Sequence, residues 1–205
     1  MTGAELRVVL GRALELMAKN EDELRDLDSA IGDGDLGITV SRGAEAARKS
    51  IAALPPAAMP AEIIRAFATT IASANPSSFS ALVATGLLAA ARAVAASESL
   101  TAADVLTMAQ QAIAAIAKRG KAEVGDKTVL DALVPSVAAL EANPPDRALD
   151  AMIAAARKGI DDTAGGVSRK GRAAWLGERT IGHPDPGATA YLRFLEALQE
   201  AWVRP

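Results

Sequence analysis

Residues 31–37 read IGDGDLG, and within them Gly32, Gly34 and Gly37 spell G-x-G-x-x-G. That spacing marks a dinucleotide-binding turn when it joins a buried strand to a helix, because backbone N–H groups then meet a pyrophosphate at the helix N-terminus. Here Asp33 and Asp35 fill variable positions and Asp28 stands just upstream. Three carboxylates therefore occupy the place where phosphate would sit. Two sets of anions repel unless a cation lies between them.

The rest of the chain lacks the parallel βαβ context that the dinucleotide reading requires. Of 205 residues, 50% are hydrophobic but only 3% aromatic, and an alanine-rich composition suits closely packed helices better than sheet. Leu6, Val9, Leu10, Ala13, Leu14 and Met17 follow one helical stripe, which predicts a first helix ending near Asn20. A second is expected from about Gly37 to before Pro55, a third from Pro60 towards Asn75, and a central apolar one over Ser80–Ala96. Thr101 with Asp104 three residues on reads as a capping box for a helix reaching Arg119, with Gly120 as its terminator. Further helices are predicted over Thr128–Ala142 and Asp146–Thr163. Asp185-Pro186 supplies an N-cap and first-turn pair for the last. The expectation is an all-α domain, residues 1–205, of seven or eight helices, and the glycine motif is a false positive for NAD.

Composition excludes several function classes. No cysteine is present, so disulfides, thiolate metal sites and cysteine nucleophiles are out, and a reducing, cytoplasmic setting is expected. Arg7, Arg12 and Glu15 break the amino-terminal apolar run, and Arg92 ends the longest one, so neither a signal peptide nor a membrane span is expected. A net charge of −3 with few aromatics offers no footprint for nucleic acid.

Asp28, Asp33 and Asp35 are hard oxygen ligands bunched among glycines, which is what Mg²⁺ takes when it binds a few carboxylates plus water and substrate phosphates. An EF-hand is excluded, since the twelfth position counted from Asp28 is Thr39 and from Asp33 is Ala44. On spacing alone, a solvated Asp-Gly turn is the commoner explanation.

Two later segments bear on the choice. Val124–Ser136 reads VGDKTVLDALVPS, and Ser168–Ala190 gathers Arg169, Lys170, Arg172 and Arg179 amid glycines. Together with LDSAIGDGDLG they resemble, in order and over nearly the whole chain, the nucleotide-binding L subunit of dihydroxyacetone kinase. The length also suits a free-standing subunit of that kind. The resemblance implies an antiparallel eight-helix barrel with ADP or ATP and two Mg²⁺ ions at one mouth, the ions held by Asp28, Asp33 and Asp35. It implies nucleotide contacts from Leu36, Gly37, Ile38 and Thr39 at a helix start, and from Ser77 and Ser78 in a phosphate loop. Gly120 and Val129 would line the base slot. Arg169 or Arg172, with Asp185, Pro186 and Gly187, would form the closing segment. The implied partners are a substrate-holding K subunit and a phosphocarrier, and a homodimer is compatible with this reading. The alternative is a catalytically silent nucleotide sensor of the same fold.

Each residue also has a plain structural role open to it: Thr39 in a first helical turn, Val129 in the core, Asp185 as a cap. Asp126 and Lys127 can simply cap and polarise a loop. His183, the sole histidine, reads as structural. Two positions depart from the family pattern. A histidine that normally follows the third aspartate is Leu36 here, and a Gly-Gly-x-Ser-Gly-Pro-like loop is replaced by Asn75-Pro-Ser-Ser-Phe-Ser80.

Overall fold

In the computed structural model, residues 1–202 are described, and they contain nine α-helices and no strand: α1 (Gly3–Met17), α2 (Glu21–Ile31), α3 (Leu36–Ala52), α4 (Pro60–Ala74), α5 (Ser78–Ala93), α6 (Ala102–Gly120), α7 (Val129–Ala142), α8 (Pro145–Ala164) and α9 (Pro186–Ala201). A short 3-10 segment, Ala18–Asn20, links α1 to α2, and another, Ala173–Thr180, interrupts the connection before α9.

Local chemistry accounts for most boundaries. Thr2 and Glu5 exchange bonds across the first turn of α1, the Thr2 N–H donating to Glu5 Oε2 at 2.7 Å and the Glu5 N–H to Thr2 Oγ1 at 3.3 Å. Thr101 and Asp104 do the same at α6. Asp185 caps α9 by accepting the Ala188 N–H at 2.7 Å, with Pro186 in the first turn.

Three expectations are corrected. The segment Glu21–Ile31 is a helix, so Asp28 stands on its last turn and only Asp33 and Asp35 belong to the loop. Gly120 closes α6 as its last helical residue, and the left-handed cap is Lys121 with φ 49. The helix count is nine among the described residues, because α2 adds to the eight anticipated.

Packing partners close into a ring. α1 lies against α3, then α3 on α4, α4 on α5, α5 on α6 and α6 on α7, while α7, α8 and α9 pack mutually and α9 returns to α1. The extra helix, α2, leans on α3 and α9. Apolar stripes fill the interior, among them Leu6, Leu10 and Leu14 of α1, Val40 of α3, Ile63 and Ile64 of α4 and Leu195 of α9. One close approach fixes the α7–α8 seam. A side chain at Gly159 would lie 1.9 Å from the Asp131 carbonyl oxygen and 3.2 Å from the Pro135 ring. Pro135 has no N–H for that carbonyl, the partner four residues back in the helix, and the α8 backbone comes in over the gap.

Because neighbouring helices alternate in direction, the N-termini of α3, α5, α7 and α9 share one end of the ring, with the C-termini of α2 and α6. That end is the mouth.

Candidate nucleotide and metal site

A cavity of about 430 Å³ opens at the mouth. Its lining is drawn from the starts of four helices: Asp35 and Leu36 of α3, Ser78 and Phe79 of α5, Thr128 to Leu130 at α7, and Asp185 to Gly187 at α9. Aligned peptide dipoles place partial positive charge at each of these ends, which suits an anion. Ile31, Leu82, Ile116 and Val129 give the same cavity an apolar wall, as a planar ring bound beside a phosphate needs.

The acidic cluster forms one edge. Asp28, Asp33 and Asp35 each bring a carboxylate oxygen within 4.8 Å of the others. Asp28 Oδ2 accepts the Leu36 N–H at 3.3 Å, which ties the end of α2 to the start of α3. Asp35 stands at the N-cap position of α3 yet makes no side-chain cap bond, so its carboxylate is free to face the cavity. Burial, and then the neighbouring Asp28, push the Asp35 carboxyl above the usual carboxylate range. The Arg172 guanidinium arches over this edge, one nitrogen donating to Asp33 Oδ2 and the other to Asp35 Oδ1 at 3.0 Å. These groups are about half exposed, so the pair adds little stability. Its importance is the positive charge it sets across two carboxylates. A hard donor set with crowded like charge, compensated by a cation, fits a divalent ion such as Mg²⁺.

Of the residues singled out from sequence, Asp28, Asp35, Leu36, Ser78, Gly120, Val129, Arg172, Asp185, Pro186 and Gly187 line the cavity. Asp33 joins through the carboxylate cluster. Lys127 and Lys170 line it too, while the other contacts that the resemblance implies stand back from the lining. Gly37 is buried where α3 crosses α2, and a side chain there would lie 2.1 Å from the Glu21 carbonyl oxygen. Thr39 is buried and accepts a bond from Asn75 Nδ2 at 2.8 Å, joining the start of α3 to the end of α4. Ile38 is half-buried beside it. Ser77 is the N-cap of α5, its Oγ accepting the Ser80 N–H at 3.1 Å. The Arg169 side chain is exposed, while its N–H donates to the Asp126 carbonyl at 3.0 Å.

Sequence reasoning gave Lys127 no more than a loop-polarising role. This side chain is 1% exposed, and its ammonium donates to the carbonyls of Ala164, Gly166 and Thr180 at 3.0, 2.9 and 2.6 Å. Burial lowers its pKa, opposed by Asp185. Burial in turn pushes the Asp185 carboxyl up to about 7, with Asp131 adding to the rise and the Ala188 N–H and Lys127 opposing it. The available signal was a lysine between Gly125-Asp126 and a helix cap, a place where glycine or asparagine would be the cheap choice. Phe79 also lines the cavity, with its ring against Gly187, in the loop that departs from the family pattern.

The fold and the mouth together define a helical-ring domain with an acidic cluster under an arginine, beside four helix N-termini. The chain belongs to the DAK2 domain family, whose model matches residues 30–200. It is 32% identical to the ADP-binding subunit DhaL of the PEP-dependent dihydroxyacetone kinase of Escherichia coli K12, over 92% of each chain. It is 35% identical to the ADP-binding subunit DhaL of PEP-dependent dihydroxyacetone kinase 1 of Listeria innocua, over 92% of this chain and 91% of that one. Among solved structures, it superposes on the dihydroxyacetone kinase from C. freundii in complex with AMP-PNP and Mg²⁺ with a TM-score of 0.76 at 24% identity, covering 95% of this chain and 33% of that one. This last likeness establishes the fold.

Proposed function

We propose that this chain is the nucleotide- and Mg²⁺-binding subunit of a dihydroxyacetone-like kinase, assisting phosphoryl transfer to a small ketose or triose held by a separate K-type subunit. The observation that carries the reading is the Asp28–Asp33–Asp35 cluster under Arg172, set against four helix N-termini and an apolar wall in one cavity. In this reading the three carboxylates hold two Mg²⁺ ions, which when bound neutralise phosphate charge and keep the transferring group in line. The residues of the chain supply position. The start of α3 and Ser78 face the phosphates, Val129 and Gly120 flank the base, and Arg172 with the Asp185–Gly187 turn closes the site. Thr39, Gly37, Ile38 and Ser77 hold the shape of these helix starts from behind, and Arg169 stands at the rim. The E. coli and Listeria relatives are named PEP-dependent, which supports a phosphocarrier partner that recharges tightly held ADP. Among the described residues no helix is long and apolar enough to cross a membrane, in keeping with a cytoplasmic kinase subunit.

Calorimetry with ADP in Mg²⁺ and in EDTA tests the metal bridge. ADP binding is expected to require Mg²⁺, because bare carboxylates and phosphates repel; equal affinity in both conditions sinks the reading.

A second reading, a silent nucleotide sensor, is favoured by Leu36 where the family carries histidine and by Pro76 and Phe79 in the α5 entry. A K-type subunit encoded beside this one favours the kinase, and a transcription regulator there favours the sensor.

A further inference from the structure

The segment between α8 and α9 is a loop with a closed neck. The Gly182 N–H donates to the Ala164 carbonyl at 2.9 Å, and inside it the Ser168 N–H donates to Thr180 Oγ1 at 2.9 Å. Such compact surface loops are packed by their own groups and are commonly functional. This one carries Lys170, whose Nζ lies 3.5 Å from Asp126 Oδ2, and Arg172, which spans Asp33 and Asp35.

The Lys127 side chain reaches into the neck, and its ammonium donates to carbonyls on the two sides of it. An ammonium has three donors and no acceptor, so the three carbonyls satisfy it. Burying it still carries a desolvation cost that a methionine of similar reach would avoid. The backbone adds a second cost, since Lys127 has φ 60, a left-handed conformation that a side chain disfavours and glycine adopts freely. A charged side chain kept at a buried, left-handed position is kept for what the side chain does. Here it joins three segments: the entry to α7, whose next residues Thr128 to Leu130 line the cavity, the end of α8, and the exit of the loop.

We propose that Lys127 is a positioning residue of the nucleotide site, pinning the neck of loop 165–181 so that Arg172 is presented to the anions at the mouth. The proposal rests on the nucleotide-binding reading above, in which Arg172 helps close the site.

Limited trypsin digestion and Mg-ADP calorimetry test it together, because Arg169, Lys170, Arg172 and Arg179 place cleavage sites in the loop. In Lys127→Met, cleavage within the loop is expected to accelerate about tenfold with circular dichroism unchanged, and Lys127→Arg, which keeps the charge, to restore most of the protection. Mg-ADP affinity is expected to fall about tenfold in Lys127→Met. In an Arg172→Gln background the same change is expected to cost under about twofold, as coupled residues require. Unchanged loop cleavage in Lys127→Met overturns the proposal. Equal affinity losses in both backgrounds also overturn it, by assigning Lys127 to the α7 wall alone. Should Lys127→Met fail to fold, Lys127→Gln, which keeps a polar tip but at most two donors and no charge, takes its place; faster loop cleavage supports the pin and unchanged cleavage contradicts it. If the wild type does not bind Mg-ADP, the nucleotide reading has failed, and digestion of the free protein still decides the role of Lys127.

Discussion

The carboxylates at the two ends of the helix ring differ in what acts on their charge. At the far end, Glu5 and Asp104 complete capping boxes, and hydrogen bonds from Thr2 and Thr101 hold both below the usual carboxylate range. The amino terminus is tied down there too, with the Met1 ammonium donating to the Leu100 carbonyl at 2.7 Å and the Leu100 N–H to the Met1 carbonyl at 2.8 Å. At the mouth, burial raises Asp35 and Asp185, and each has another aspartate adding to the rise. Both ends use carboxylates as helix caps, Asp131 and Asp185 doing so at the mouth; what the mouth adds is burial and like charge, which disfavour the charged form at Asp35 and Asp185.

The sharpest way to break this comparison is to remove an acid that holds the mouth together. Asp131 is buried and accepts the Gly125 N–H at 2.5 Å and the Thr128 N–H at 2.7 Å. Asp131→Ala strands both donors and is expected to cost about 3 kcal/mol in urea unfolding, against about 1 kcal/mol for the exposed cap change Thr101→Ala at the far end. Equal costs would mean that the ends are built alike.

A smaller effect follows from Asp185. Its folded pKa of about 7 lies above the ordinary 3.8, so between those values the folded state retains a proton that the unfolded chain has released. Stability attributable to this group therefore falls as pH rises through that window, and the penalty is full above it. Asn caps a helix as well as Asp does. Asp185→Asn is expected to melt higher than wild type at pH 8, by on the order of 2 kcal/mol, with the two curves converging near pH 4. A gap that widens towards acid would contradict the burial of this carboxyl.

How much of this was legible in the sequence depends on what each element shows along the chain. α1 and α4 bury broad apolar stripes, while α6 buries only Ile116 and is legible instead from its Thr101–Asp104 start. α2 was missed because it has no side-chain cap to mark its start and lies in an acidic run that reads as loop, although Leu24, Leu27 and Ile31 keep a helical spacing. With α2 formed, Asp28 stands on a helix and not in the loop, yet it still lies close to Asp33 and Asp35. The acidic cluster and Asp185-Pro186 were legible as local chemistry. Between Arg169 and Arg172 the sequence could not choose, since the choice depends on how the loop neck closes across residues 164–182. The role of Lys127 was hidden for the same reason: its partners lie up to 53 positions away.

The mouth acids, on this reading, exist for a metal. Thermal melts of wild type and Asp33→Asn, each with and without Mg-ADP, test this most directly. At a hundredfold excess of ligand over Kd, the wild type should gain about 2.7 kcal/mol. Asp33→Asn should show no ligand-induced gain yet be at least as stable without ligand, because one repelling charge is gone and the half-exposed pair with Arg172 contributes little. A full ligand-induced shift in Asp33→Asn would contradict the account and move the site to another loop.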